Sequence, residues 1–393
     1  MLFFFHVFFY DAFLIPQRRQ FILPRKSRNR DTPHMSATPP SAACINSMSA
    51  PYTLRDCLFR TLRRWHCRCT HHWFAIDALP LVQTQSGHRL VSLLLRHYDR
   101  YLMGTIDPDV RFRDYQNHVI HVTQGYWGGA PRVAHHWYDR LQDSLRDQRY
   151  SDAAHAAGVL SHYFVDPIQP LHTMQCARGR IIHRPLEWSV SEAYDDIVRT
   201  WIENDLRAVV QLTRGPGWLG EAILHAARYA NRQYSQLVTE YDLKAAAIDP
   251  PAGLNDRIRM TLAGLFGLSI TGWARVLERA ASDAETLRRK PLPNHKLAVP
   301  CATALLGIPL QTWIRRLKSH LDVIEVDQLI NEYRVRGTLK KHLPAEVDVM
   351  HRVAQVYADE MLYRQNRDRV RSATLPFPTE VDRQSDSPDR RAA

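Results

Sequence analysis

Apolar residues recur at the spacing of helix turns in four long runs. These are VSLLLRHYDRYL from Val91, RVAHHWYDRLQDSLRD from Arg132, DAAHAAGVLSHYFVD from Asp152 and EAYDDIVRTWIENDLRAVVQL from Glu192. That spacing puts an apolar stripe on each segment, so each is expected as a helix packed on a shared core. The alternation of a half-buried strand is nearly absent. Pro and Gly punctuate the joins, as GTIDPD, GYWGGAP, DPIQP and RGPGW. The pattern predicts an all-α, multi-helix bundle. One run stands out. GVLSHYFVDPIQPLH, Gly158 to His172, is apolar nearly all round, yet it carries two histidines, an aspartate and a glutamine. Burying such groups is costly unless something positive sits among them.

Further along, LFGLSITGWARVL from Leu265 and LLGIPLQTWIRRL from Leu305 share the spacing of Leu, Gly, Trp, Arg and Leu. A duplicated helical hairpin is expected there, with Trp273 and Trp313 as packing residues. LRRKPLPNHKLAVP would link the copies, and helix should resume over 318–372. The expected organisation is therefore an N-terminal extension (1–50), a helical domain (52–245), a helical accessory region (250–372) and a disordered tail (373–393).

The opening MLFFFHVFFYDAFLIPQRRQ lacks a basic leader and is interrupted by His6 and Asp11, so it does not read as a signal peptide. The basic, Pro/Ser-rich stretch after it reads as disordered. Met35 or Met48 is an alternative start. Cytoplasmic or peripheral membrane placement is expected over secretion.

Length changes little, since 393 residues are ample for a large core. Net charge does more. With 52 basic and 40 acidic residues the chain carries +12, which favours anionic partners such as phosphodiesters, nucleic acid or anionic lipid. Much of the excess lies near the N-terminal end, so charge alone does not choose among them. Six cysteines are scattered and do not form a disulfide framework. Cys67 and Cys69 lie near His66, His71 and His72, but C-x-C without a second pair is a weak zinc signature.

The 20 histidines are numerous, and several are clustered. His162 and Asp166 are four positions apart, on one helix face. Pro167 and Pro170 disturb or end that helix, so His172 can fold back beside it. In HRPLEW, His183 and Glu187 repeat the four-residue spacing. Each pair offers an imidazole nitrogen and a carboxylate oxygen, a donor mixture that suits zinc and disfavours calcium. Asp109 and His118 lie upstream in a turn-rich segment, and THHWFAIDALP sets His71 and His72 at the head of an apolar helix.

These residues resemble the zinc-dependent phospholipase C family, related in fold to the fungal single-strand-specific zinc nucleases. The shared pattern is Gly158, His162, Asp166, Gln169, Pro170, Leu171 and His172, then His183 and Glu187, with no position missing. THHWFAIDALP, GTIDPD, NHV and GGAP stand in the family's order. The resemblance covers about residues 65–210. It implies an all-α fold with two or three zinc ions. Asp109, His118, His162 and Asp166 match the ligands of a first zinc, and His172, His183 and Glu187 those of a second. Asp166 with His71, or with His72 in a competing alignment, matches a third. In secreted members a mature N-terminal tryptophan completes that third site, whereas Trp65 here lies inside the chain unless cleavage after Arg64 exposes it.

The implied chemistry is phosphodiester hydrolysis by a zinc-bridging water, with Asp109 both ligand and catalytic base, and Gln169 a hydrogen-bond partner of the ligands. The implied substrate is a phospholipid or another small phosphodiester, with peripheral membrane contact. A single-strand nuclease on the same scaffold is the alternative, with Tyr126, Trp127, Trp137 and Tyr138 as candidate stacking residues. A non-catalytic, zinc-stabilised helical protein is the third reading.

Overall fold

The computed structural model describes residues 53–206 and 208–374. The expectations for residues 1–50 and for the tail from 375 lie outside them. The helices in chain order are α1 (Leu54–Thr61), α2 (Thr70–Asp77), α3 (Gln85–Arg96), α4 (Tyr98–Gly104), α5 (Ala130–Arg146), α6 (Tyr150–Val165) and α7 (Ala177–Glu192). They continue with α8 (Tyr194–Glu203), α9 (Trp218–Glu240), α10 (Leu243–Ala246), α11 (Asp256–Arg288), α12 (Ala298–Leu306), α13 (Ile308–Arg336) and α14 (Ala345–Thr374). Among the described residues there is no strand, and the single bridge pairs His121 with Trp127. The protein is all-α.

Helix α6 is the centre of the bundle. From Ala153 to Val165 only His155 escapes full burial, which is why its sequence is apolar on every side. Its small residues let neighbours approach closely. A Cβ on Gly158 would overlap the Tyr101 carbonyl oxygen and press on Gly104 of α4, and one on Gly104 would overlap the His155 carbonyl. The α4–α6 crossing thus depends on glycine on both sides. One turn after Gly158, this crossing brings His162 under the end of α4.

The boundary expected near residue 250 does not divide the core. Helix α11 starts at an Asn255 cap and buries Ile258, Phe266, Trp273 and Leu277 in the same apolar cluster as α2, α3, α6 and α8. Trp273 Nε1 donates to the Tyr101 hydroxyl (2.8 Å), which donates to the Ala75 carbonyl (3.0 Å), so α11, α4 and α2 share one buried chain of hydrogen bonds. By length and composition α11 could cross a membrane, but 67% of its apolar window is buried inside the protein.

The expected repeat is not a structural repeat. Its first copy lies inside α11 with Trp273 fully buried, while the second breaks at Gly307 between α12 and α13 and leaves Trp313 62% exposed. Pro309 explains the difference, since it stands in the first turn of a new helix. The run from Glu192 also departs from expectation. It divides at Ala193 and ends at Glu203, where Asp205 takes a left-handed φ of 47°. The run from Val91 divides at His97.

Candidate metal centre

Four separate pieces of chain deliver the candidate ligands. Helix α6 presents His162 in its last turn and Asp166 at its C-terminus. Asp166–Ile168 and Pro170–His172 then form two tight 3-10 turns, each with proline at its start, and these place His172. The backbone of 118–122 lies alongside. Ile120 N–H donates to the His172 carbonyl (3.0 Å) and Val122 N–H to that of Thr173 (2.9 Å). This ties the segment carrying His118 to the turn carrying His172. Helix α7 contributes His183 and Glu187 and runs on through Pro185. A proline inside a helix forfeits a backbone hydrogen bond, at about 3 kcal/mol. Helix α2 presents His71 from its first turn.

These residues converge in three groups, the first two sharing His162: His71, Asp109 and His162; His118, His162 and Asp166; and His172, His183 and Glu187. The eight metal ligands expected from the sequence are all among them. His118 Nδ1 and His162 Nε2 stand 2.9 and 3.0 Å from Asp166 Oδ2, and 3.1 Å from each other. His71 Nε2 is 3.3 Å from Asp166 Oδ1, and His183 Nε2 is 3.0 Å from Glu187 Oε1. Asp109 lies at the rim, 3.4 Å from His118 Nδ1 and 3.5 Å from His162 Nε2, with its side chain 39% exposed. Its neighbour Asp107 is buried and bonded to His155 and Arg111, so GTIDPD holds one structural and one site aspartate.

Partners outside the cluster fix which nitrogen faces it. His162 Nδ1 is 2.8 Å from the Thr105 carbonyl, which can only accept, so Nε2 of the neutral ring is left with a lone pair. His118 Nε2 lies 3.4 Å from Asp114, whose carboxylate also accepts from Tyr163 (2.7 Å) and Asn117 (2.8 Å). Lone pairs of two imidazoles therefore meet a carboxylate oxygen at hydrogen-bond distance, an arrangement that needs a shared proton or a cation. His71 Nδ1, His172 Nδ1 and Gln169 Oε1 are buried without a hydrogen-bond partner. Buried polar atoms are normally paired. The orphaned atoms and the mixed nitrogen and oxygen donors fit zinc.

Hydrogen bonds distinguish His71 from His72. His72 accepts the Arg68 N–H at Nδ1 (3.1 Å) and directs Nε2 to the Leu102 carbonyl (3.1 Å), so both nitrogens are used. Nor do Cys67 and His66 form a second site: Cys67 is fully buried in the core and His66 faces the Ala304 carbonyl.

Electrostatics in the metal-free cluster follow from burial and crowding. Burial disfavours charge on His118, but Asp114, Asp166 and Asp109 outweigh it and push its pKa up to about 10. Burial opposes ionisation of Asp166, yet His162, His172 and His71 hold it well below the usual carboxylate range. His172 is lowered to about 4, chiefly by burial. Glu187 falls to about 2 because His183 outweighs its burial.

The groups open on a cleft of about 480 Å³. Phe74, Ile168, Leu262, Leu265 and Phe266 form an apolar wall, and Arg184 and Lys318 a basic one. Glu346, at the start of α14, lines the same cleft, and burial with Glu187 and Asp109 nearby pushes its pKa up to about 8. A small cluster of Tyr115, Val119, Trp127, Val347 and Met350 holds that end of α14 beside His118. Asp114, Lys318 and Glu346 were not legible as site residues. The only local hint was the four-residue spacing of Asp114 and His118. Tyr126, Trp127, Trp137 and Tyr138 do not line the cleft; Trp127 and Tyr138 are packed in cores.

A family model described as zinc dependent phospholipase C matches residues 70–215. Residues 70–215, rather more than a third of the chain, are thus similar to the zinc-dependent phospholipase C family. The matched segment contains all the convergent histidines and carboxylates named above except Glu346, and the family implies zinc as the metal. The solved alpha toxin from Clostridium absonum overlaps 55% of this chain and 65% of its own, at 15% identity and a TM-score of 0.43. The chain thus spans less than two thirds of that protein. No curated protein sequence matches.

Proposed function

We propose that the cleft hydrolyses a phospholipid, or a similar small phosphodiester, to an alcohol and a phosphomonoester. The observation that carries this reading is the convergence of lone pairs and carboxylates on one amphiphilic cleft. His118, His162 and Asp166 would hold one ion, and His172, His183 and Glu187 a second. His71 and Asp166 would offer donors to a third. Bound zinc there supplies Lewis-acid polarisation of the phosphodiester and of the attacking water.

The remaining work falls to the chain. Asp109 is the most exposed carboxylate among the candidate ligands, and in this reading it accepts the proton of the attacking water. Thr105 and Asp114 keep His162 and His118 in the tautomers that face the cluster. Phe74, Leu262 and Phe266 offer apolar contact to a substrate chain and exclude water. Arg184 and Lys318 line the same cleft, each bridged to Asp322, and an incoming phosphate would compete with that carboxylate for them.

The test is zinc per chain by elemental mass spectrometry on the untagged full chain, with His162→Ala and His183→Ala alongside. Phosphomonoester release from phosphatidylcholine micelles is then compared with cleavage of single-stranded DNA. Two or three ions, lost in the variants, with release from micelles, support the reading. Cleavage of DNA alone would favour the nuclease alternative, and a parent without zinc would sink both.

A further inference from the structure

Beyond the cleft, the first half of α13 is exposed over most of its circumference. Its apolar residues are not scattered. Leu310, Trp313, Leu317, Leu321 and Ile324 follow each other at steps of three or four, which gathers them into one narrow stripe along the helix. All of them face solvent, from 40% for Ile324 to 62% for Trp313. Single exposed apolar side chains are ordinary, but a contiguous stripe marks a surface that meets something. The flanks bear on what that is. Arg316 and His320 lie along one edge, both exposed, and the other carries Glu325 and Lys318, the latter bridged to Asp322. Lys318, Asp322 and Glu325 also line the cleft, so the stripe runs beside the cleft rim on the same helix.

A helix with an apolar stripe, a tryptophan within it and the basic Arg316 with His320 along one edge has the chemistry of an interfacial helix on anionic lipid. We infer that α13 lays this stripe into the surface of an anionic phospholipid bilayer and so brings the cleft to the headgroups. The inference rests on the phosphodiesterase reading for its purpose, but not for its test. Arg316 and Lys318 would meet lipid phosphates while Trp313 and the leucines enter the headgroup boundary.

Binding is measured by flotation of the full chain with phosphatidylcholine vesicles, with and without phosphatidylserine. The variants are the pair Trp313→Ser and Leu317→Ser, and separately Arg316→Glu. All three positions are exposed, and unchanged melting curves confirm folding. The expected result is that the double variant loses vesicle affinity by about tenfold or more, while zinc content and hydrolysis of a soluble short-chain phosphodiester stay at the parent level. Arg316→Glu should weaken binding only where phosphatidylserine is present. A parent that binds no vesicles, or a double variant that binds as well as the parent, overturns the inference whatever the enzyme does. So does a parent dimer that the double variant dissolves without any change in vesicle binding. Loss of zinc and hydrolysis in a parent that still binds vesicles through the stripe would instead count against the phosphodiesterase reading alone.

Discussion

Zinc loading of the His118 group should expel a proton. In the metal-free protein the pKa of His118 stands at about 10, because Asp114, Asp166 and Asp109 outweigh its burial. At neutral pH the ring therefore carries both protons, one toward Asp114 and one toward Asp166. An ion between His118, His162 and Asp166 needs the Nδ1 lone pair, so the second proton must leave. The gap of about three pH units to neutrality is roughly 4 kcal/mol, a thousandfold loss in apparent affinity at pH 7. Zinc buffered by a chelator should bind about tenfold more tightly per pH unit between about pH 7 and 9. Calorimetry in two buffers of different ionisation enthalpy should show about one proton released for this ion. Asp114→Asn, which removes one partner of the charged ring, should reduce that release. Zinc affinity that is flat over this range, with no buffer dependence, would refute the reasoning. The same proton has an opposite effect on the metal-free fold. A pKa raised above the ordinary 6.5 stabilises fully below that value, and the contribution is lost as pH rises toward 10.

Other outcomes are equally specific. Gly158→Ala should cost about 1–3 kcal/mol by forcing α4 and α6 apart, read as a lower melting temperature, and should also lower zinc content because Thr105 loses its hold on His162. His71→Ala should remove up to one zinc with little loss of stability, whereas His72→Ala should leave zinc content unchanged and cost about 1–3 kcal/mol through unpaired backbone groups. Glu346 keeps its proton in the folded state to about pH 8, well past where the unfolded chain loses it. The metal-free protein should therefore lose stability as pH rises from about 4.5 to 8. Glu346→Gln should flatten that part of the curve, measured by denaturant melts in chelator.

His162, Asp166, His172, His183 and Glu187 were legible because local spacing fixes them, whereas His71, Asp109 and His118 came only from the family resemblance. Helix geometry puts His162 with Asp166 and His183 with Glu187, and Pro167 and Pro170 set the turns that bring His172 back. The helical character of the bundle was legible for the same reason. Long-range placement was not. Lys318 and Glu346 enter the cleft from helices far along the chain, and no local pattern announces that return. The two Trp-containing segments shared letters but not surroundings, since Trp273 had α2, α4 and α6 to pack on while Trp313 followed a helix break at Gly307. His72 stood as the alternative to His71, and in the structure the Arg68 and Leu102 backbone groups occupy both nitrogens of His72.

The buried course of α11 has a consequence for how such a chain can be cut and joined. The segment that carries the metal-binding signature ends near residue 215, yet its floor is supplied by Leu262, Leu265 and Phe266, and its rim by residues of α13 and α14. Heredity can recognise the first part by its histidines, but the fold has no seam there. A recombination or gene fusion that trades residues 70–215 as a cassette would carry the chemistry and leave behind the apolar surface on which it stands. The second half is better regarded as the mould in which the ligand-bearing half sets.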